Sequence, residues 1–188
     1  MNEYSEEDKL FLLNLARKSI EYFMEKRELL TIDAEKIKNK LKEKKAVFVT
    51  LEKHGLLRGC IGVLQAVEPL YLAVIKNAVA AAFYDTRFFP LSEGELKHIK
   101  IEISILTKPE KIDYKNVEEL LKKIKVGDGI IIKLGKRSAT FLPQVWEKLS
   151  SKEIFLSELC LKAGLSSDEW RKGKLEVYRY KVVCFKES

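Results

Sequence analysis

Apolar residues recur every three to four positions at the start of the chain. Leu12, Leu15, Ala16, Ser19, Ile20 and Phe23 fall on one stripe, which predicts an amphipathic helix over residues 5–28. Ser5 is placed to cap it, and Glu6, Glu7 and Asp8 occupy the first turn, where the helix dipole favours acids. Asp33 is placed to cap a short second helix ending near Lys42. The period then changes. Residues 46–52 are rich in Val and Phe, His54-Gly55 is a turn signal, and 56–64 is a second β-rich run, so the pattern predicts an antiparallel hairpin. Glu68-Pro69 opens a helix that runs to about Phe83, with Pro at its first position. Its many alanines permit close packing on a sheet. His98 to Leu106 alternates, with Ile99, Ile101, Ile103 and Ile105 on one face and His98, Lys100, Glu102, Ser104 and Leu106 on the other.

In the second half, Asn116 to Lys125 predicts a short helix and Gly127-Asp128-Gly129 a turn. Residues 129–134 and 138–142 predict a hairpin around Gly135-Lys136-Arg137, stopped by Pro143. Helices are expected over 144–149 and 152–163, the second ended by Gly164. Ser166 or Ser167 caps a turn carrying Trp170, and 175–186 forms one final strand, partly buried on both faces. Regular helical crossovers do not separate the strands, which argues against a doubly wound parallel sheet. The expected fold class is therefore α+β, an antiparallel or mixed β-sheet flanked by helices. A single domain spanning 1–188 is expected. Two unequal lobes are compatible with the pattern, but composition does not mark their division.

Composition narrows the functional classes. No apolar run has the length of a membrane span, and the polar, acidic start argues against a signal peptide. Cys60, Cys160 and Cys184 lie far apart, and His54 and His98 are the only histidines. That spacing predicts no metal site and fits a reducing, cytoplasmic setting. The formal net charge is +7, which raises nucleic acid as a partner. The basic residues are mostly lysine and the acidic ones mostly glutamate, with only Gln65 and Gln144 as glutamines, a thermophile-like balance. The lysines of 36–45 alternate with Ile37, Leu41 and glutamates and carry no interleaved aromatics, so a solvated face is favoured over a nucleic-acid patch. Dinucleotide, P-loop, serine-hydrolase elbow, zincin and iron–sulfur motifs are absent. No cofactor is expected.

The candidate chemistry sits in Leu57-Arg58-Gly59-Cys60-Ile61-Gly62. Strict strand alternation places Arg58, Cys60 and Gly62 on one face and Leu57, Gly59 and Ile61 on the other. A cation beside a thiol favours the reactive thiolate, and flanking glycines let a ligand or another backbone approach closely. The competing reading is structural: free Cys is usually a small buried hydrophobe, and strand glycines often mark bulges. Asp85 and Arg87 either pair to hold their loop or present polar groups at the site. Glu102 and Ser104 stand near Arg58 and Cys60 if their strand joins the hairpin.

This hexapeptide resembles the signature of the AMMECR family (the AMME syndrome candidate gene 1 protein family). Further blocks agree in order: Lys45 to Leu51, Asp85-Thr86-Arg87-Phe88 with Pro90-Leu91, Glu102 to Leu106, Val126-Gly127-Asp128-Gly129, Phe141 to Trp146, and Leu159 to Leu165. Phe89 departs from the pattern, standing where a small residue or Pro is expected. The resemblance covers nearly the whole chain. It implies a fold but no particular reaction. It also implies Memo-type and radical-SAM proteins as partners in a shared pathway. Two functional classes follow. One is an enzyme or small-molecule site with Cys60 as nucleophile or covalent acceptor, Arg58 tuning it or binding an anion, and Gly59, Gly62, Asp85, Arg87, Glu102 and Gln144 as binding residues. The other is a non-catalytic module that binds nucleic acid or protein through its basic surface.

Overall fold

The computed structural model describes residues 4–149 and 151–188. In chain order the elements are α1 (Glu6–Lys26), β1 (Ala46–Lys53), β2 (Leu56–Val63), α2 (Leu70–Phe83), α3 (Glu93–Leu96), β3 (Ile99–Leu106), β4 (Glu110–Ile112), α4 (Val117–Lys123), β5 (Gly129–Leu134), β6 (Arg137–Phe141), α5 (Lys152–Lys162), β7 (Glu176–Tyr180) and β8 (Val182–Lys186). The fold is α+β, and the chain divides into two compact units, 1–106 with 183–188 and 107–182.

The first unit is built on a sheet of order β2-β1-β3-β8. Its hairpin turns through His54 and Gly55, both at positive φ (53° and 77°). That is the pairing a two-residue loop needs to match strand twist. Val47, Val49 and Leu51 of β1 and the four isoleucines of β3 form the core with the apolar sides of α1 and α2. Helix α1 carries a capping box in which Ser5 and Asp8 bond each other's backbone N–H. The chain end is tied back by Glu187, which accepts from Arg17 at 2.6 and 2.7 Å and from the Ile101 N–H at 2.9 Å.

Two expectations in this unit need correction. Residues 34–36 and 39–42 form separate 3₁₀ turns rather than one helix. Only Ile37 and Leu41 are buried there, too little apolar stripe to hold so short a helix. Pro69 is the N-cap of α2, one position before the helix, and not its first residue.

The second unit holds a sheet of order β4-β7-β5-β6. Its core includes Ile130, Ile132, Leu156, Leu159, Trp170 and Val177, and Trp146 stacks on Phe155 with centroids 3.8 Å apart. Pro143–Glu147 is a 3₁₀ helix, not the α-helix expected over 144–149. The single strand expected over 175–186 is two strands in two sheets. The break is at Lys181, whose N–H donates to Thr107 Oγ1 at 2.9 Å while its carbonyl accepts from the Thr107 N–H. A strand of three residues, β4, carries too little pattern to be seen in advance.

Candidate functional site

Strand β2 is an edge strand, and its pairing with β1 slips by one residue. Leu51 pairs with Gly59 but Glu52 pairs with Leu57, leaving Arg58 as the extra residue of a bulge. A bulge resets the alternation of side chains and re-aims the residue it carries. The shared face expected for Arg58 and Cys60 is therefore interrupted at Arg58. Its guanidinium forms a two-pronged ion pair with Glu95, both contacts at 3.0 Å, and donates to the Phe89 carbonyl at 2.9 Å. Glu95 also takes the Lys53 ammonium at 2.9 Å and closes the capping box of α3 with Ser92. Arg58 and then Lys53 hold the Glu95 carboxyl well below the usual carboxylate range.

Cys60 lies beyond the bulge, paired across the sheet with Thr50. The Thr50 hydroxyl donates to Sγ at 3.2 Å. Because β2 is an edge, the Cys60 N–H and C=O that point away from β1 have no strand to bond. The loop after α2 supplies both partners. Asp85 Oδ2 accepts the Cys60 N–H at 2.8 Å, and Arg87 Nη2 donates to the Cys60 carbonyl at 3.2 Å. Asp85 and Arg87 are in turn joined at 2.7 and 2.9 Å. The pair completes the edge as a neighbouring strand would. Asp85 is buried, and the Arg87 guanidinium first, then burial and the Cys60 amide, set its acidity, the net effect placing the carboxyl far below its ordinary range. The Phe88 ring lies beside both guanidinium groups, 5.8 Å from Arg58 and 5.6 Å from Arg87.

The glycines are taken up by packing inside the fold. A Cβ at Gly59 would lie 2.1 Å from the Ala81 carbonyl oxygen of α2. A Cβ at Gly62 would meet the Phe48 ring at 2.3 Å. Glu102 is in register with Thr50, so one strand separates it from Cys60. Glu102 and Ser104 act instead on Cys184: partial desolvation pushes that thiol up, with a Ser104 hydrogen bond opposing and the Glu102 charge assisting. Gln144 is exposed and belongs to the second unit. The structure thus brings Cys60, Asp85 and Arg87 together, and pairs Arg58 elsewhere.

Sequence reasoning missed Thr50, Phe88 and Glu95. Thr50 could have been found by registering the predicted hairpin. The signal that could have drawn attention to Glu95 is the capping pattern Ser92-x-x-Glu95, which does not point to Arg58. His54 and His98 lie beside each other with ring centroids 5.6 Å apart and planes tilted by 36°. Among the described residues there is no cluster of three or more His, Cys, Asp or Glu side chains able to hold a metal ion, and no helix is long and apolar enough to cross a membrane.

Comparison with known proteins places the chain among relatives that match along nearly its whole length. The chain is 42% identical over 204 residues to a protein of Thermofilum pendens, covering 100% of this chain and 93% of that one. It is 40% identical over 187 residues to Protein MK0488 of Methanopyrus kandleri, covering 95% and 87%. The crystal structure titled "Uncharacterized Protein PH0010 From Pyrococcus horikoshii" matches with a TM-score of 0.87 at 37% identity, over 99% of this chain and 94% of that chain. The AMMECR1 family model matches residues 13–185, and the chain belongs to the AMMECR1 family.

Proposed function

We propose that the Cys60 end of the first sheet is a small-molecule site in which the thiol accepts an electrophilic substrate bearing an anionic group. The observation that carries this reading is Arg87. Its guanidinium is anchored on the Cys60 carbonyl and on Asp85, yet its side chain remains 55% exposed. An anion drawn to it would sit beside a half-buried thiol. Arg58 has a different task, holding the bulge through Glu95. Asp85 is fixed as a carboxylate and serves as a scaffold, not as a proton acceptor. Memo-type or radical-SAM partners, implied by the family resemblance, fit a site that captures a substrate without a dedicated base of its own.

The test is site-resolved alkylation of the native protein, comparing anionic iodoacetate with neutral iodoacetamide. In each reaction an S–C bond forms, iodide leaves and the thiol proton passes to solvent. Cys60 is expected to favour iodoacetate more than exposed Cys184 does, and Arg87→Met is expected to remove that preference. A Cys60 that reacts only after denaturation, or whose iodoacetate-to-iodoacetamide rate ratio is no higher than that of Cys184, overturns the reading.

A further inference from the structure

The turn Val126-Gly127-Asp128-Gly129 lies in the second unit and places a carboxylate inside it. Asp128 is 1% exposed. Gly127 turns the chain at φ 90°, and Gly129 has no room for a Cβ because the Tyr180 ring lies 2.2 Å from where it would be. Trp146 Nε1 donates to the Asp128 carbonyl at 2.8 Å, so the backbone that carries the carboxylate is held from both sides. One carboxylate oxygen, Oδ1, pairs with the Lys181 ammonium. The other, Oδ2, is buried and has no hydrogen-bond partner. Buried acceptors of this kind are costly unless something donates to them.

Asp128 lines a cavity of about 240 Å³ walled also by Glu110, Lys125, Arg179 and Lys181. Arg179 reaches Glu110 only loosely, at 3.3 and 3.4 Å, and among the described residues the Lys125 ammonium has no partner. Three cations against two carboxylates leave the wall with a surplus positive charge. A bare anion would leave Oδ2 unsatisfied, and a bare cation would oppose the surplus. A ligand with one ammonium and two carboxylates answers both demands.

We propose that this cavity binds an acidic α-amino acid, its ammonium donating to Asp128 Oδ2 and its carboxylates pairing with Lys125 and Arg179. Calorimetric titration of the full chain with L-glutamate tests it, with glutarate as the control that keeps both carboxylates but lacks the ammonium. Saturable glutamate binding at least tenfold tighter than glutarate binding is expected. Asp128→Asn should erase that difference, and Lys125→Ala should weaken both ligands. Equal affinity for the two ligands in the unaltered protein overturns the proposal, as does the lack of saturable glutamate binding or full binding by Lys125→Ala. If Asp128→Asn does not fold, the ligand comparison and the exposed Lys125→Ala variant still decide the matter.

Discussion

The carboxylate of Asp85 accepts the backbone N–H of Cys60 at 2.8 Å, so the residue that carries the thiol is held by the loop that follows α2. The same carboxylate binds Arg87, which returns to the Cys60 carbonyl. The backbone of the thiol-bearing residue is held by one ion pair acting in place of a missing strand.

Asp85→Ala should therefore destabilise the fold by about 2 kcal/mol. This lies below the 3–5 kcal/mol typical of breaking a fully buried pair, because Arg87 is partly solvated. Urea unfolding of the variant against the unaltered protein measures it. A loss no larger than that of an ordinary surface substitution would show that the edge does not need this partner.

Acid should act through the same groups. Asp85 and Glu95 both have pKa values held well below the usual carboxylate range in the folded protein, Asp85 chiefly by Arg87 and Glu95 chiefly by Arg58. In the unfolded chain they take up protons near pH 4, while in the folded protein they remain ionised. Their stabilisation is complete above that range and declines as pH falls toward the folded values. The urea midpoint should drop steeply between pH 5 and pH 2, and Asp85→Asn with Glu95→Gln should flatten the slope. A double variant with the parent's slope would assign acid sensitivity elsewhere.

Gly59→Ala should cost about 3 kcal/mol, at the upper end of overpacking penalties, because the new Cβ would strike the Ala81 carbonyl and backbone yields poorly. Gly55→Ala meets no atom within 4 Å but needs positive φ, so it should cost only about 1 kcal/mol. Thermal melts of the two variants should fall in that order.

Arg17→Ala should destabilise by about 2 kcal/mol, since it strips the partner of Glu187 and donors to the Leu96 and Ile99 carbonyls. Glu187→Ala should have a similar effect, and the double variant should cost less than the sum of the two. Additive losses would mean that the chain end is held by something other than this pair.

Local pattern was enough wherever neighbours in sequence are neighbours in space. The stripe of α1, the hairpin around His54-Gly55 and the isoleucine face of β3 are all satisfied within a few residues, and each was legible from periodicity. The hexapeptide around Cys60 could also be picked out, because a thiol between glycines on a strand is a local signal. What alternation could not supply was the bulge. It arises where the backbone of Gly59 must meet the Ala81 carbonyl while Arg58 reaches Glu95, contacts made across 22 and 37 positions of chain. That slip takes Arg58 away from its expected companion. Asp85 and Arg87 reach Cys60 because α2 returns the chain to the open edge of β2, where unpaired backbone groups must find a donor and an acceptor. The break at Lys181 is equally non-local, since it depends on Thr107 bonding a residue 74 positions away. Residue order thus determined the strongly periodic helices and strands and marked the thiol between glycines as a candidate. Partnership among residues was decided only by the tertiary structure, because edge pairing, ion pairing and close packing depend on distances that sequence separation does not encode.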